Sequence, residues 1–126
     1  MDSVILLEHA HKAMQHAFAP YSQFKVGVAL LGKSGKLYLG CNVENASYGG
    51  AICAERVAVC KAVSEGEQSF QAIAVVSSSG DFTYPCGICR QFMSEFGLGI
   101  HVIFSNGKEI KESVLAELLP NSFYLG

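Results

Sequence analysis

The chain has 126 residues, half of them hydrophobic and 16% charged, with a net charge of -2; that is enough for one domain over residues 1–126 with a real core and too little for two ordinary ones. Its nine basic residues, spread from Lys12 to Lys111, form no cationic stripe, so no nucleic acid is expected as a partner and no anionic membrane either. No apolar run approaches the length of a membrane span, and Val4 to Leu7 is too short for a secretory signal, so a cytoplasmic location is expected.

Asp2 or Ser3 can cap a first helix in which Leu7, Ala10, Met14 and Ala17 recur on one face while Glu8, Lys12 and Gln15 take the other. Pro20 marks its end. His9, His11 and His16 have no partner at ligand spacing and read as solvated helix residues. Val26, Val28 and Leu30 then alternate with Gly27, Ala29 and Leu31, a strand apolar on both faces with one face small enough for a helix to approach closely, and so a central strand. Gly32-Lys33-Ser34-Gly35 is a turn, and Leu37 to Val43 returns as the second strand of an antiparallel hairpin. Asn42, Glu44, Asn45 and Ser47 cluster where that strand runs out, which makes them candidate pocket residues.

Gly49-Gly50 breaks the chain before a helix from about Cys53 to Val63, mostly buried through Ala54, Val57, Ala58 and Cys60. Gln71 to Ser77 is the next strand. The loop Ser78 to Tyr84 leads to Pro85 in the first turn of a short helix carrying Cys86, Cys89, Phe92 and Met93. His101 to Phe104, Asn106-Gly107 and Lys108 to Lys111 form a second hairpin, and Ser113 can cap a last helix that Pro120 ends. The order is that of an α/β domain, a three-layer α-β-α sandwich with a mixed sheet of about five strands. Charge is scarce for a domain this small, which points to surface buried between copies of the chain and hence to a homo-oligomer.

In a reducing compartment five cysteines read first as metal ligands, catalytic thiols or core residues. Cys53, Cys86 and Cys89 lie at helix starts, where free backbone N–H groups and the positive end of the helix dipole favour thiolate. Three thiolates can hold one Zn2+ per chain on three sides and leave a fourth position for water. Glu55, two residues beyond Cys53, can reach over that position as a proton carrier. Three thiolates overcompensate the ion's charge, and Arg56 is the candidate that donates to them and offsets the excess. Cys41, on an apolar strand, and Cys60, on a buried helix face, read as core residues. A thiol redox pair at Cys86 and Cys89 would leave Cys53 and Glu55 unexplained, and a purely structural zinc module would need a fourth protein ligand that the sequence does not obviously offer.

Cys53-Ala54-Glu55 followed by Pro85-Cys86-Gly87-Ile88-Cys89 is the signature of the zinc deaminases. From the first helix to Phe123 the sequence resembles the small cytidine deaminases of the homotetrameric, three-cysteine class. Ala19-Pro20-Tyr21-Ser22-Gln23-Phe24-Lys25-Val26-Gly27, Gly40-Cys41-Asn42-Val43-Glu44-Asn45-Ala46, Cys53-Ala54-Glu55-Arg56 and Leu118-Leu119-Pro120 with Phe123 carry the likeness.

The resemblance implies hydrolytic deamination of cytidine and deoxycytidine to uridine and deoxyuridine in pyrimidine salvage. Zinc-activated water would attack C4 while Glu55 moves the protons. It further implies that Phe24 lies against the pyrimidine, that Asn42 and Glu44 bind the ribose, and that the Ala54 backbone and the Glu55 carboxyl read the base edge. Tyr48 and Phe123 would close a neighbouring subunit's site, so that active sites are shared within a tetramer. The nearest alternatives are a nucleotide deaminase or a nucleoside-antibiotic deaminase on the same fold. Cys53, where nucleotide members commonly carry His, and Asn42-Val43-Glu44-Asn45-Ala46 favour the nucleoside enzymes.

Overall fold

The first helix begins where Asp2 caps it: its carboxylate accepts from the N–H groups of Val4, at 2.7 Å, and Ile5, at 3.3 Å. The structure, a computed structural model, describes residues 1–125. Helix α1 runs Ser3–Met14 and buries Leu6, Leu7, Ala10 and Ala13, so it ends before Ala17 and well short of Pro20. Strands β1 (Val26–Gly32) and β2 (Leu37–Cys41) form the first hairpin. A 3₁₀ turn, Tyr48–Gly50, precedes α2 (Ala54–Ser64), and β3 (Phe70–Ser77) follows. Helix α3 (Gly87–Ser94), strands β4 (His101–Ser105) and β5 (Ile110–Val114) and the short α4 (Leu115–Leu118) complete the order.

The sheet runs β2-β1-β3-β4-β5. It is mixed, as expected: β1 is antiparallel to both β2 and β3, β3 is parallel to β4, and β4 is antiparallel to β5. Every residue of β1 is buried, which fits an interior strand, although the middle place goes to β3. Leu6, Leu7 and Ala10 of α1 pack on one face with Ala29, Leu31, Ala74 and Val76. Ala54, Ala58 and Val59 of α2, Cys89 and Met93 of α3 and Leu115 of α4 pack on the other with Val28, Leu30, Val75 and Phe104. Each fully buried large side chain, such as Leu30, Ile73 or Phe104, contributes roughly 1.5–3 kcal/mol of burial energy.

This topology gathers two helix starts at one edge. Because β2 and β3 both oppose β1, they run in the same direction, and the helices that follow them, α2 and α3, both begin at the carboxyl end of the sheet. That edge is where α/β sheets bind ligands. Two glycines let the helices close on the sheet. A Cβ at Gly27 would collide with the Ala10 carbonyl of α1, and one at Gly40 would stand 2.5 Å from the Ala54 carbonyl and 2.8 Å from the Ala58 nitrogen of α2.

Several expectations are corrected. Strand β2 stops at Cys41; Val43 instead makes isolated bridges to Phe18 and Ile52, which clamp residues 42–44 between two other segments. Pro85 precedes the α3 cap, Cys86, and so lies outside the helix. Ser113 lies in β5, and α4 begins after Val114, whose N–H donates to Glu117 Oε1 at 3.1 Å. Cys60 is exposed, because the buried stripe of α2 is Ala54, Glu55, Ala58, Val59 and Ala62, and Cys60 falls off it.

Candidate active site

Cys53 is the N-cap residue of α2 and Cys86 that of α3, with Cys89 one turn into α3. Their sulfur atoms all lie within 4.8 Å of one another, with Cys53 to Cys86 at 3.5 Å and Cys86 to Cys89 at 3.3 Å. These separations are far beyond a disulfide bond. They fall a few tenths of an ångström inside the roughly 3.8 Å that zinc–sulfur bonds of about 2.3 Å impose at tetrahedral angles. The donor set therefore fits a zinc ion. Among the described residues no fourth Cys, His, Asp or Glu joins the cluster, which leaves one corner of a tetrahedron for a non-protein ligand.

The three thiols differ in setting. Cys89 is fully buried, Cys53 half-buried and Cys86 exposed. The hydrogen bond from the Cys89 thiol, and after it Arg56, pull the Cys53 thiol down to about 5, whereas Cys53 and burial drive Cys89 far up. Three sulfurs this close together, with a guanidinium beside one of them, are a donor set that a cation would complete. Arg56 Nη2 reaches Cys53 Sγ at 3.6 Å, and this contact raises the pKa of Arg56. Its Nε is buried and without a hydrogen-bond partner, so one more donor of the fork lies in the protein interior.

Glu55 is 4% exposed, and among the described residues it alone is a buried charged side chain. Burial pushes its carboxyl up to about 7, and the charge of Cys53 adds to the rise. A carboxyl poised near neutrality beside a metal-binding cluster suits proton transfer in both directions. Cys53 makes no side-chain capping bond to the first turn of α2.

The other anticipated site residues brace the chain around Phe24. Asn42 Oδ1 accepts from Val26 N–H at 2.9 Å, and its Nδ2 donates to the Phe24 carbonyl at 2.8 Å. Glu44 accepts from the N–H groups of Tyr21 and Ser22 at 3.0 and 3.2 Å and from the Ser22 hydroxyl, and these bonds hold its pKa below the ordinary value. Between them Gln23 adopts φ 60°, a left-handed conformation that a free chain would rarely keep. Asn42 and Glu44 thus fix a tight turn that presents Phe24, 40% exposed. Glu44 and Tyr48 also line a cavity of about 350 Å³ with Tyr21, Ser22, Asn45 and Ala51. The thiols and Phe24 do not line it. Tyr48 and Phe123 are strongly exposed in the single chain, at 82% and 67%.

Sequence reasoning missed Arg90 and Gln91. Gln91 donates from Nε2 to the Phe123 carbonyl at 2.9 Å and accepts from its N–H at 3.4 Å, which ties the tail to α3. Arg90 binds two carbonyls, those of Pro85 and Leu118. The available signal in the sequence was an Arg-Gln pair directly after Cys89, which the structure half-buries.

A family model described as the cytidine and deoxycytidylate deaminase zinc-binding region matches residues 2–105. The chain is 46% identical over 125 residues to a cytidine deaminase of Sporosarcina psychrophila, covering 98% of this chain and 92% of that protein. It is 48% identical over 118 residues to a probable cytidine deaminase of Dictyostelium discoideum, covering 93% and 80%. The crystal structure of the cytidine deaminase from Burkholderia pseudomallei superposes with a TM-score of 0.93 at 43% identity, covering 98% of this chain and 100% of that one. That of Mycobacterium tuberculosis does so at 0.88 and 38%, covering 99% of each. Agreement of that length and identity makes this chain a member of the cytidine and deoxycytidylate deaminase zinc-binding family.

Proposed function

We propose that this chain is a single catalytic domain that hydrolyses cytidine and deoxycytidine to uridine and deoxyuridine with release of ammonia, in pyrimidine salvage. The observation that carries the reading is the buried Glu55 next to three converging thiols that lack a fourth protein ligand. Cys53, Cys86 and Cys89 would hold the zinc, and Arg56 would offset their negative charge through its donor to Cys53. Zinc bound there supplies Lewis acidity, which brings the pKa of water to roughly 7 in favourable sites.

Glu55 takes one proton from the attacking water and delivers it to N3 of the pyrimidine as oxygen adds to C4. It then helps a proton reach the amino group, so that the C4–N bond breaks and ammonia leaves. Phe24 packs against the base, with the backbone of Ala54 and the carboxyl of Glu55 reading its edge. The remaining hydrogen-bonding capacity of Asn42 and Glu44 serves the ribose. A substrate panel tests this: cytidine and deoxycytidine are expected to lose absorbance, while their monophosphates, adenosine and blasticidin S are expected to stay unchanged. Preferential turnover of the monophosphates would move the reading to a nucleotide deaminase.

The active sites are shared in a cytoplasmic homotetramer, with Tyr48 and Phe123 closing a neighbour's pocket. The exposed aromatics Phe18, Phe24, Tyr48, Phe92, Phe123 and Tyr124 support burial between copies, and five free cysteines suit a reducing compartment. Among the described residues no helix is long and apolar enough to cross a membrane. Light scattering is expected to give about four times the 13.5 kDa chain mass; the mass of one chain would refute the shared site.

A further inference from the structure

Of the three thiols, Cys86 is the most exposed, although Pro85 before it is buried and its Sγ accepts from the Cys89 N–H at 3.4 Å. Cys89 is enclosed in the core, and Cys53 is half-buried with the Arg56 guanidinium on its sulfur. Cys86 is exposed and follows an irregular stretch, residues 78–85. That stretch is tied down by the Thr83 hydroxyl, which donates to Ser77 Oγ at 2.5 Å, and by the Tyr84 ring, 4.5 Å from that of Phe104. Neither tether acts on the peptide groups beside Cys86.

One residue does. Arg90 Nε donates to the Pro85 carbonyl at 2.7 Å, and the Arg90 backbone N–H donates to the Cys86 carbonyl at 3.0 Å. The carbonyls on either side of the Cys86 Cα are thus both bound: the second by an ordinary first-turn bond of α3, which any residue but proline at position 90 would make, and the first by the Arg90 side chain. Fixing these two peptide planes sets the backbone angles of Cys86, and with them the direction in which its Cβ–Sγ arm leaves the chain. The same guanidinium spends a second donor, Nη1, on the Leu118 carbonyl at 3.0 Å, at the end of α4. Its position is therefore anchored from the far side, and a planar fork with donors at fixed angles is suited to hold two carbonyls at once.

We propose that Arg90 is a positioning residue for the metal site: it pre-orients Cys86 for zinc by clamping the Pro85–Cys86 peptide to the end of α4. The proposal rests on the zinc reading above. Supporting partners behind metal ligands commonly change metal affinity by about 10–100-fold when removed, and the Arg90 side chain acts here on the peptide that precedes Cys86. Lysine at position 90 could bind one carbonyl but not both at the fork's geometry, so it should rescue only partly.

The test compares the whole protein with its Arg90→Ala and Arg90→Lys variants, each zinc-loaded and zinc-free. The readouts are the rate of zinc loss to a coloured chelator and the melting temperature with and without zinc. Arg90→Ala is expected to lose zinc about tenfold or more faster and to show a smaller zinc-dependent rise in Tm, with Arg90→Lys in between. A brace of the fold alone would lower both melting temperatures equally and leave the rate of zinc loss at the wild-type value, and that result overturns the proposal. Should Arg90→Ala fail to fold, the same comparison on Arg90→Lys decides. A wild-type chain that takes up no zinc would instead overturn the underlying reading, and the proposal with it.

Discussion

Glu55→Gln is expected to retain zinc and to lose cytidine turnover by about 10²–10⁴-fold or more. The amide is close in shape to the carboxyl, so the packing around a side chain 4% exposed is kept and the three sulfurs are undisturbed. What disappears is the group proposed to carry protons from water to the pyrimidine. Burial holds this carboxyl at about 7, where it can accept a proton and give it back at neutral pH, and glutamine can do neither. Initial rates by loss of cytidine absorbance, with zinc measured by a colorimetric chelator on the same samples, check both halves. Turnover within a few-fold of wild type would remove Glu55 from the mechanism.

Asn42→Ala should have the next largest effect, and Glu44→Gln a smaller one of the same kind. Asn42 satisfies the Val26 N–H and the Phe24 carbonyl at once, and leaving the part-buried Val26 N–H without a partner costs about 1–3 kcal/mol. The turn that presents Phe24 would relax, and the proposed ribose contact would go in the same step. Glutamine at position 44 keeps one acceptor oxygen for the Tyr21 and Ser22 N–H groups but loses the charge. KM for cytidine is expected to rise by about ten-fold or more for Asn42→Ala, with a lowered Tm, following from that cost. Free cytosine, if it reacts, separates the two roles. A ribose contact predicts a larger loss for cytidine than for cytosine, and an effect through the turn alone predicts equal losses.

The site was legible where its signal is local. Cys53, Glu55, Arg56, Cys86 and Cys89 are short-range patterns at helix starts, and the structure brings the three sulfurs together and buries the carboxyl. The mixed five-stranded sheet also followed from alternation and turn residues, with Gly27 and Gly40 accepting the helices. What was not legible depends on partners distant in sequence. The bonds from Glu44 to Tyr21 and Ser22 and from Arg90 to Leu118 join segments that no periodicity relates. Ser113 resembled a helix cap because strand β5 is exposed over Ile110, Lys111 and Glu112 and so offers no clean alternation. Cys60 was misplaced because α2 has apolar residues on more than one side, and only packing on the sheet selects the buried stripe.

Zinc removal and return on one sample tests the whole account most directly, with cytidine absorbance followed at each stage. About one zinc per chain is expected in the purified protein, with deamination abolished by chelation and restored when stoichiometric zinc is added back. Deamination that survives complete zinc removal, or a full complement of zinc with no deamination of cytidine, would contradict it.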